Sequence, residues 1–115
     1  MLAKEKLGLI YQALDDKKAQ DIQMIDIQTI SPIADYFIIA SAGNSNQLMA
    51  FVDAIDEVLA KAKVHTPKTE GSRGSGWILV DYGDVVVHLF LESDRDFYDI
   101  ERIWSDGTPV SYNDL

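Results

Sequence analysis

The chain has 115 residues, 47% of them hydrophobic, a formal net charge of −9 and no cysteine. That length fits one domain, and the hydrophobic share argues against disorder; the missing cysteine excludes a disulfide framework, a thiolate metal site and a cysteine nucleophile. The acidic balance disfavours phosphate-driven nucleic-acid binding and instead attracts a basic protein partner.

Met1-Leu-Ala-Lys-Glu-Lys6 is charged and contains an acid, so it has neither signal-peptide nor transit-peptide character, and no apolar run reaches membrane-spanning length. A cytoplasmic setting is the simplest reading. Ala3, Leu7, Ile10 and Leu14 recur at helical spacing and predict an amphipathic helix over residues 2–15, ended by Asp15-Asp16-Lys17-Lys18. Residues 21–28 alternate, with Ile25 and Ile27 on one side, and predict a strand broken at Ser31-Pro32. Asp35-Tyr-Phe-Ile-Ile-Ala-Ser41 is rich in β-formers and predicts a more buried strand. Gly43 and Asn44-Ser45 mark a turn and a helix N-cap. Leu48, Phe51, Val52, Ile55, Val58, Leu59 and Ala62 then form the apolar stripe of the longest helix, residues 45–63, with Lys61 and Lys63 suiting its C-terminal dipole. Residues 64–75 hold Pro67 and several glycines and read as a loop.

A β-hairpin follows. Two apolar runs flank Tyr82-Gly83, where glycine supplies positive φ; a two-residue loop there pairs Asp81 with Asp84, Leu79 with Val86 and Trp77 with His88. Alternation gives the hairpin two unlike faces. One holds Ile78, Val80, Val85, Val87, Leu89 and Leu91, all aliphatic, and needs helices over it. The other holds Trp77, Leu79, Asp81, Asp84, Val86, His88 and Phe90. Pattern alone leaves this second face open between a partner interface, a half-exposed sheet face and a second core layer. Phe97, Ile100 and Trp104 mark a short last helix, and residues 106–115 read as a C-terminal tail after a single domain over 1–105. The order is α-β-β-α-β-β-α, a two-layer α/β (α+β) domain with helices packed on a sheet.

No catalytic or metal set is recognisable. Glu70-Gly-Ser-Arg-Gly-Ser-Gly76 lacks a Gly-Lys-Ser/Thr ending and leads into a strand, so it does not fit a phosphate loop. His65 and His88 sit in different elements without ligand spacing. Asp94-Arg-Asp96 fits helix capping better than magnesium binding. No cofactor is expected.

The combination of Ala34-Asp-Tyr-Phe-Ile-Ile-Ala-Ser41 with Asn44-Ser45, Glu70-Gly71, Gly76-Trp77, Asp81-Tyr-Gly-Asp-Val-Val-Val-His88, Phe97-Tyr98 and Ile103-Trp104 closely resembles the ribosomal silencing factor family, also called RsfS or Iojap-like. The resemblance covers about residues 2–105. It implies a mixed sheet akin to nucleotidyltransferases and a non-enzymatic role. It also implies binding to the large ribosomal subunit through its fourteenth protein, blocking the small subunit and repressing translation when nutrients are scarce. Two other classes compete with this reading: a degenerate nucleotidyltransferase-fold enzyme and a homodimeric adaptor. Gly43-Asn44-Ser45 sits where such enzymes hold a triphosphate, but no Asp-x-Asp follows on the next strand. The expected partner-binding residues are Trp77, Leu79, Val86, His88 and Phe90, with Tyr82, Arg95 and Tyr98 at the rim. A homodimer of the free protein is expected from the same apolar-aromatic face.

Overall fold

In a computed structural model, residues 2–32, 34–64, 68–71, 76–93 and 107–115 are described. Helix α1 spans Ala3–Asp16 and buries Leu7, Ile10, Ala13 and Leu14, the residues spaced to share one stripe. Helix α2 spans Ser45–Lys61 and buries Leu48, Phe51, Ile55 and Leu59. Its N-cap is Asn44, whose side-chain oxygen accepts from the Gln47 N–H at 2.8 Å. Both helices end in a left-handed residue, Lys18 (φ 62°) and Lys63 (φ 64°). In each, paired backbone bonds close the last turn: Ala19 N–H to Leu14 O and Lys18 N–H to Asp15 O, then Val64 N–H to Leu59 O and Lys63 N–H to Ala60 O. These are Schellman ends with lysine where glycine is usual.

Among the described residues six strands form one mixed sheet: β1 (Gln20–Asp26), β2 (Tyr36–Ala42), β3 (Lys68–Gly71), β4 (Trp77–Asp81), β5 (Val85–Leu91) and β6 (Thr108–Val110), in spatial order β3-β4-β5-β2-β1-β6. Only β2 and β5 run parallel, from Tyr36 beside Val85 to Ala42 beside Leu91; the other pairs are antiparallel. Both helices lie on one face, where their stripes meet Met24, Tyr36, Ile38, Ala40, Ile78, Val80, Val85, Val87 and Leu89 in a single core. The aliphatic hairpin face predicted to need helices therefore has them. The two-layer mixed α/β architecture holds, but with two more strands than expected.

Three sequence expectations are corrected. The hairpin loop is Gly83-Asp84, not Tyr82-Gly83. Tyr82 N–H bonds Val85 O at 2.9 Å, so Asp81 faces Val86, Leu79 faces His88 and Trp77 faces Phe90. Gly83 carries φ 89° at the first central position, where a type II′ turn takes its glycine, and Asp81 Oδ1 accepts the Gly83 N–H at 2.8 Å. The slip is by two residues, so the paired residues keep their faces, and only Asp84 leaves the face expected for it. Asp84, freed from the ladder, pairs with Lys6 of α1 at 2.8 Å and ties the turn to the helix layer. Second, part of the expected loop over 64–75 is an edge strand: β3 pairs with β4 from Lys68–Asp81 to Gly71–Ile78. A short strand with no apolar alternation is held by backbone pairing, which leaves no pattern in side chains.

Third, the expected C-terminal tail joins the fold. β6 pairs with β1, Met24 facing Val110 and Asp26 facing Thr108. Pro109 is tolerated there because β6 is an edge strand. Gly107 leads into it under Ile25; a Cβ at that position would run into the Ile25 Cγ2 and lie 3.1 Å from the Asp26 carbonyl. Beyond it, Tyr112 stacks on Tyr11 with centroids 4.7 Å apart and donates its hydroxyl to Gln12. The short helix expected around Phe97, Ile100 and Trp104 lies outside the described residues.

Candidate protein-interaction site

The sheet face away from α1 and α2 is set by strand parity. The parallel pairing aligns Phe37, Ile39 and Ser41 of β2 with Val86, His88 and Phe90 of β5. The antiparallel pairings add Trp77, Leu79 and Asp81 from β4 and Ile25 from β1. Ile25, Ile27, Ala34, Ile39, Val86 and Phe90 form a second, smaller buried cluster here, with Phe37, Trp77 and Leu79 packed against it. The centre of this face is thus a second core layer, and its half-buried margin is aromatic.

An ordered row of rings runs across it. Trp77 lies parallel to Phe90 (5.7 Å, 5°) and to His88 (6.1 Å, 11°). Phe37 meets the His88 ring edge-on at 4.9 Å. His88 is only 4% exposed, and neither ring nitrogen has a hydrogen-bond partner among the described residues. Burial pushes its pKa from 6.5 down to about 4, so the imidazole is neutral near pH 7. A buried imidazole with both nitrogens unsatisfied is a cost the free protein carries.

His88 lines a cleft of about 270 Å³ together with Ser31, Ala34, Phe37, Leu79, Asp81 and Val86. Asp81 is half-buried there, with one carboxylate oxygen on the Gly83 N–H. A larger groove, about 740 Å³, runs between α1 and the C-terminal turn past Leu9, Gln12 and Tyr112. It holds no unpartnered buried polar atom among the described residues and lacks the convergent chemistry of the smaller cleft.

The structure brings Trp77, Leu79, Val86, His88 and Phe90 onto this one face. Trp77 and Leu79 are half-buried at its margin, whereas Val86 and His88 are buried and Phe90 is fully so. Tyr82 is a correction: it is 4% exposed and packs in the helix-side core, because Tyr82 follows β4 with the opposite parity to Asp81. Arg95 and Tyr98 lie outside the described residues. Sequence reasoning missed Phe37, Ser31 and Ala34 and gave Asp81 no role. Phe37 shares parity with Ile39, but only the parallel β2–β5 pairing puts it beside His88. Among the described residues no group of three or more His, Asp or Glu is placed to hold a metal, and no helix is long and apolar enough to cross a membrane.

The family profile described as "Ribosomal silencing factor during starvation" matches residues 2–115. The chain belongs to the ribosomal silencing factor family, RsfS. It is 38% identical over 107 residues to the "Ribosomal silencing factor RsfS" of Bacillus subtilis, covering 93% of this chain and 91% of that protein. The protein of that name from Zymomonas mobilis is 38% identical over 113 residues, covering 95% and 85%. A crystal structure of a Chromobacterium violaceum protein superposes with a TM-score of 0.86 at 35% identity, covering 96% of this chain and 92% of that one. An RsfS member silences ribosomes and is not an enzyme. The fold described above is therefore a scaffold for binding rather than for catalysis.

Proposed function

We propose that the protein binds the large ribosomal subunit through its fourteenth protein and, once bound, fills space that the small subunit needs. Translation falls because subunits cannot join, most of all when nutrients are limiting. The observation that carries this reading is the Trp77–His88–Phe90 face: aromatic at its margin, with an unpartnered imidazole and an acid in its cleft. Such a face is typical of a protein–protein hot spot, and the net charge of −9 steers it toward a basic ribosomal protein. A steric block needs residence time and no chemistry. The same face supports a homodimer of the free protein, which opens when the ribosome is bound, in a cytoplasmic setting. The kinship of the sheet with nucleotidyltransferases belongs to this reading too, resting on the family resemblance.

Sedimentation with isolated subunits tests it. The protein should travel with large subunits, not small ones, and should lower the yield of joined ribosomes. Unchanged joining at saturating protein overturns the proposal.

A further inference from the structure

We infer that the cleft beside Trp77 receives one cationic side chain, a lysine or an arginine, from the partner protein, with the Asp81 carboxylate and the His88 imidazole as its acceptors. This rests on the proposed binding to the large subunit and specifies how that contact is read.

Two independent observations converge on the cleft. Asp81 lines it, and the ion pairs seen between described side chains, Lys6–Asp84 and Lys61–Glu57, do not include it. Its Oδ1 takes the Gly83 N–H, which fixes the carboxylate in place and leaves the second oxygen to accept. His88 lines the same cleft, is 96% buried by the 4% exposure that remains, and has no hydrogen-bond partner on either nitrogen. Being neutral, it offers one bare nitrogen as an acceptor and does not repel a cation.

The other described lining residues are Ala34, Phe37, Leu79 and Val86, which are apolar, and Ser31. A lysine or arginine stem packs along such walls while its charged head reaches the acceptors. A neutral hydroxyl or amide would leave the carboxylate charge unused, and an anion would be repelled by it. The volume, about 270 Å³, lies below the ~300 Å³ at which small-molecule pockets usually begin, so a single side chain suits it better than a free ligand. A metal is disfavoured because one carboxylate and one imidazole are too few ligands.

The test uses the full chain, purified large subunits and two variants. Asp81→Asn keeps an oxygen for the Gly83 N–H and removes the charge. It should leave thermal stability unchanged, weaken binding about tenfold and make affinity less sensitive to salt. His88→Phe keeps a ring in the row and removes both nitrogens. It should melt at the same or a higher temperature and still bind about tenfold more weakly, a combination a merely structural role cannot give. Should His88→Phe not fold, Asp81→Asn decides alone. If the native chain binds and Asp81→Asn binds equally well with the same salt dependence, the inference is wrong and the proposed function stands. A loss of affinity in Asp81→Asn matched by a loss of stability overturns it as well. A native chain that does not bind large subunits overturns the proposed function, and this inference with it.

Discussion

The two faces of the sheet are built by the same strands yet are finished differently. The helix-side face is closed: Ile38, Val85, Val87 and Leu89 meet Leu7, Ile10, Leu48 and Phe51, and apart from Tyr36 and Tyr82 the buried side chains of that core carry no oxygen or nitrogen. The opposite face is apolar at its centre, at Ile39 and Phe90, but carries the His88 imidazole without partners and half-exposes Trp77 and Leu79 at its margin. A domain of this size has little stability to spare, about 5–15 kcal/mol. One face supplies most of that stability; the other spends a little of it on an imidazole with no hydrogen-bond partner among the described residues.

The contrast is broken most severely on the helix side. Phe51→Ala should cost about 3–5 kcal/mol, since Phe51 is fully buried in the helix-side core and its loss leaves a cavity there. Chemical denaturation should show a midpoint shift with an unchanged slope, or a chain that no longer folds. Binding, measured on whatever folded fraction remains, should be native.

The face away from the helices should instead reveal itself through pH. The folded pKa of His88, about 4, lies below its ordinary 6.5. The unfolded chain therefore takes up a proton between those values that the folded chain refuses. The neutral imidazole's place in the fold is fully secure above about pH 6.5, and stability is lost as pH falls toward 4, by about 3 kcal/mol. The difference between the native chain and His88→Phe isolates the contribution of this one imidazole. Parallel stability curves for the two proteins from pH 7 to 4 would contradict it.

Trp77→Ala sharpens the comparison from the other direction. Removing a half-buried ring at the margin of the face should weaken binding to large subunits by about 2 kcal/mol, roughly thirtyfold, with the fold retained. A stable Trp77→Ala protein with native affinity would show that binding uses another surface. The smallest effect is expected far from both faces. Lys63 occupies the left-handed position that ends α2, so Lys63→Gly should raise stability by up to ~1 kcal/mol without touching affinity. A small rise in melting temperature at constant affinity is the expected reading.

Much of this was legible beforehand because hydrophobic period reports directly on burial. The stripes Leu7-Ile10-Leu14 and Leu48-Phe51-Ile55-Leu59 gave both helices to within two residues of their observed ends, and Asn44 caps α2 as its residue type suggests. The strict alternation of Ile78 and Val80 against Leu79 gave two unlike faces even though the turn was placed one residue early, since an error of two in register leaves parity intact. β3 and β6 were not legible. Lys68-Thr-Glu-Gly71 and Thr108-Pro-Val110 have no apolar alternation, and an edge strand can be held by backbone bonds to its one neighbour, which any sequence can supply. Tyr82 shows the limit at the level of one residue: the chain past Asp81 turns its ring into the helix-side core, where its position beside Gly83 in sequence suggested an exposed rim.

The sequence by itself determined which side chains must be hidden, which elements carry them, and, through its specific strings, the family to which they belong. Tertiary structure alone decided that β2 runs parallel beside β5, bringing Phe37 onto His88, and that Ser31, Ala34 and Asp81 line a cleft with that imidazole. The physical reason is one of range. Burial is a property of each residue against its near neighbours and repeats with the local period, so it is written along the chain. Which strand lies beside which, and which polar atoms are left without a partner once they do, depends on groups dozens of residues apart and exists only when the sheet has closed.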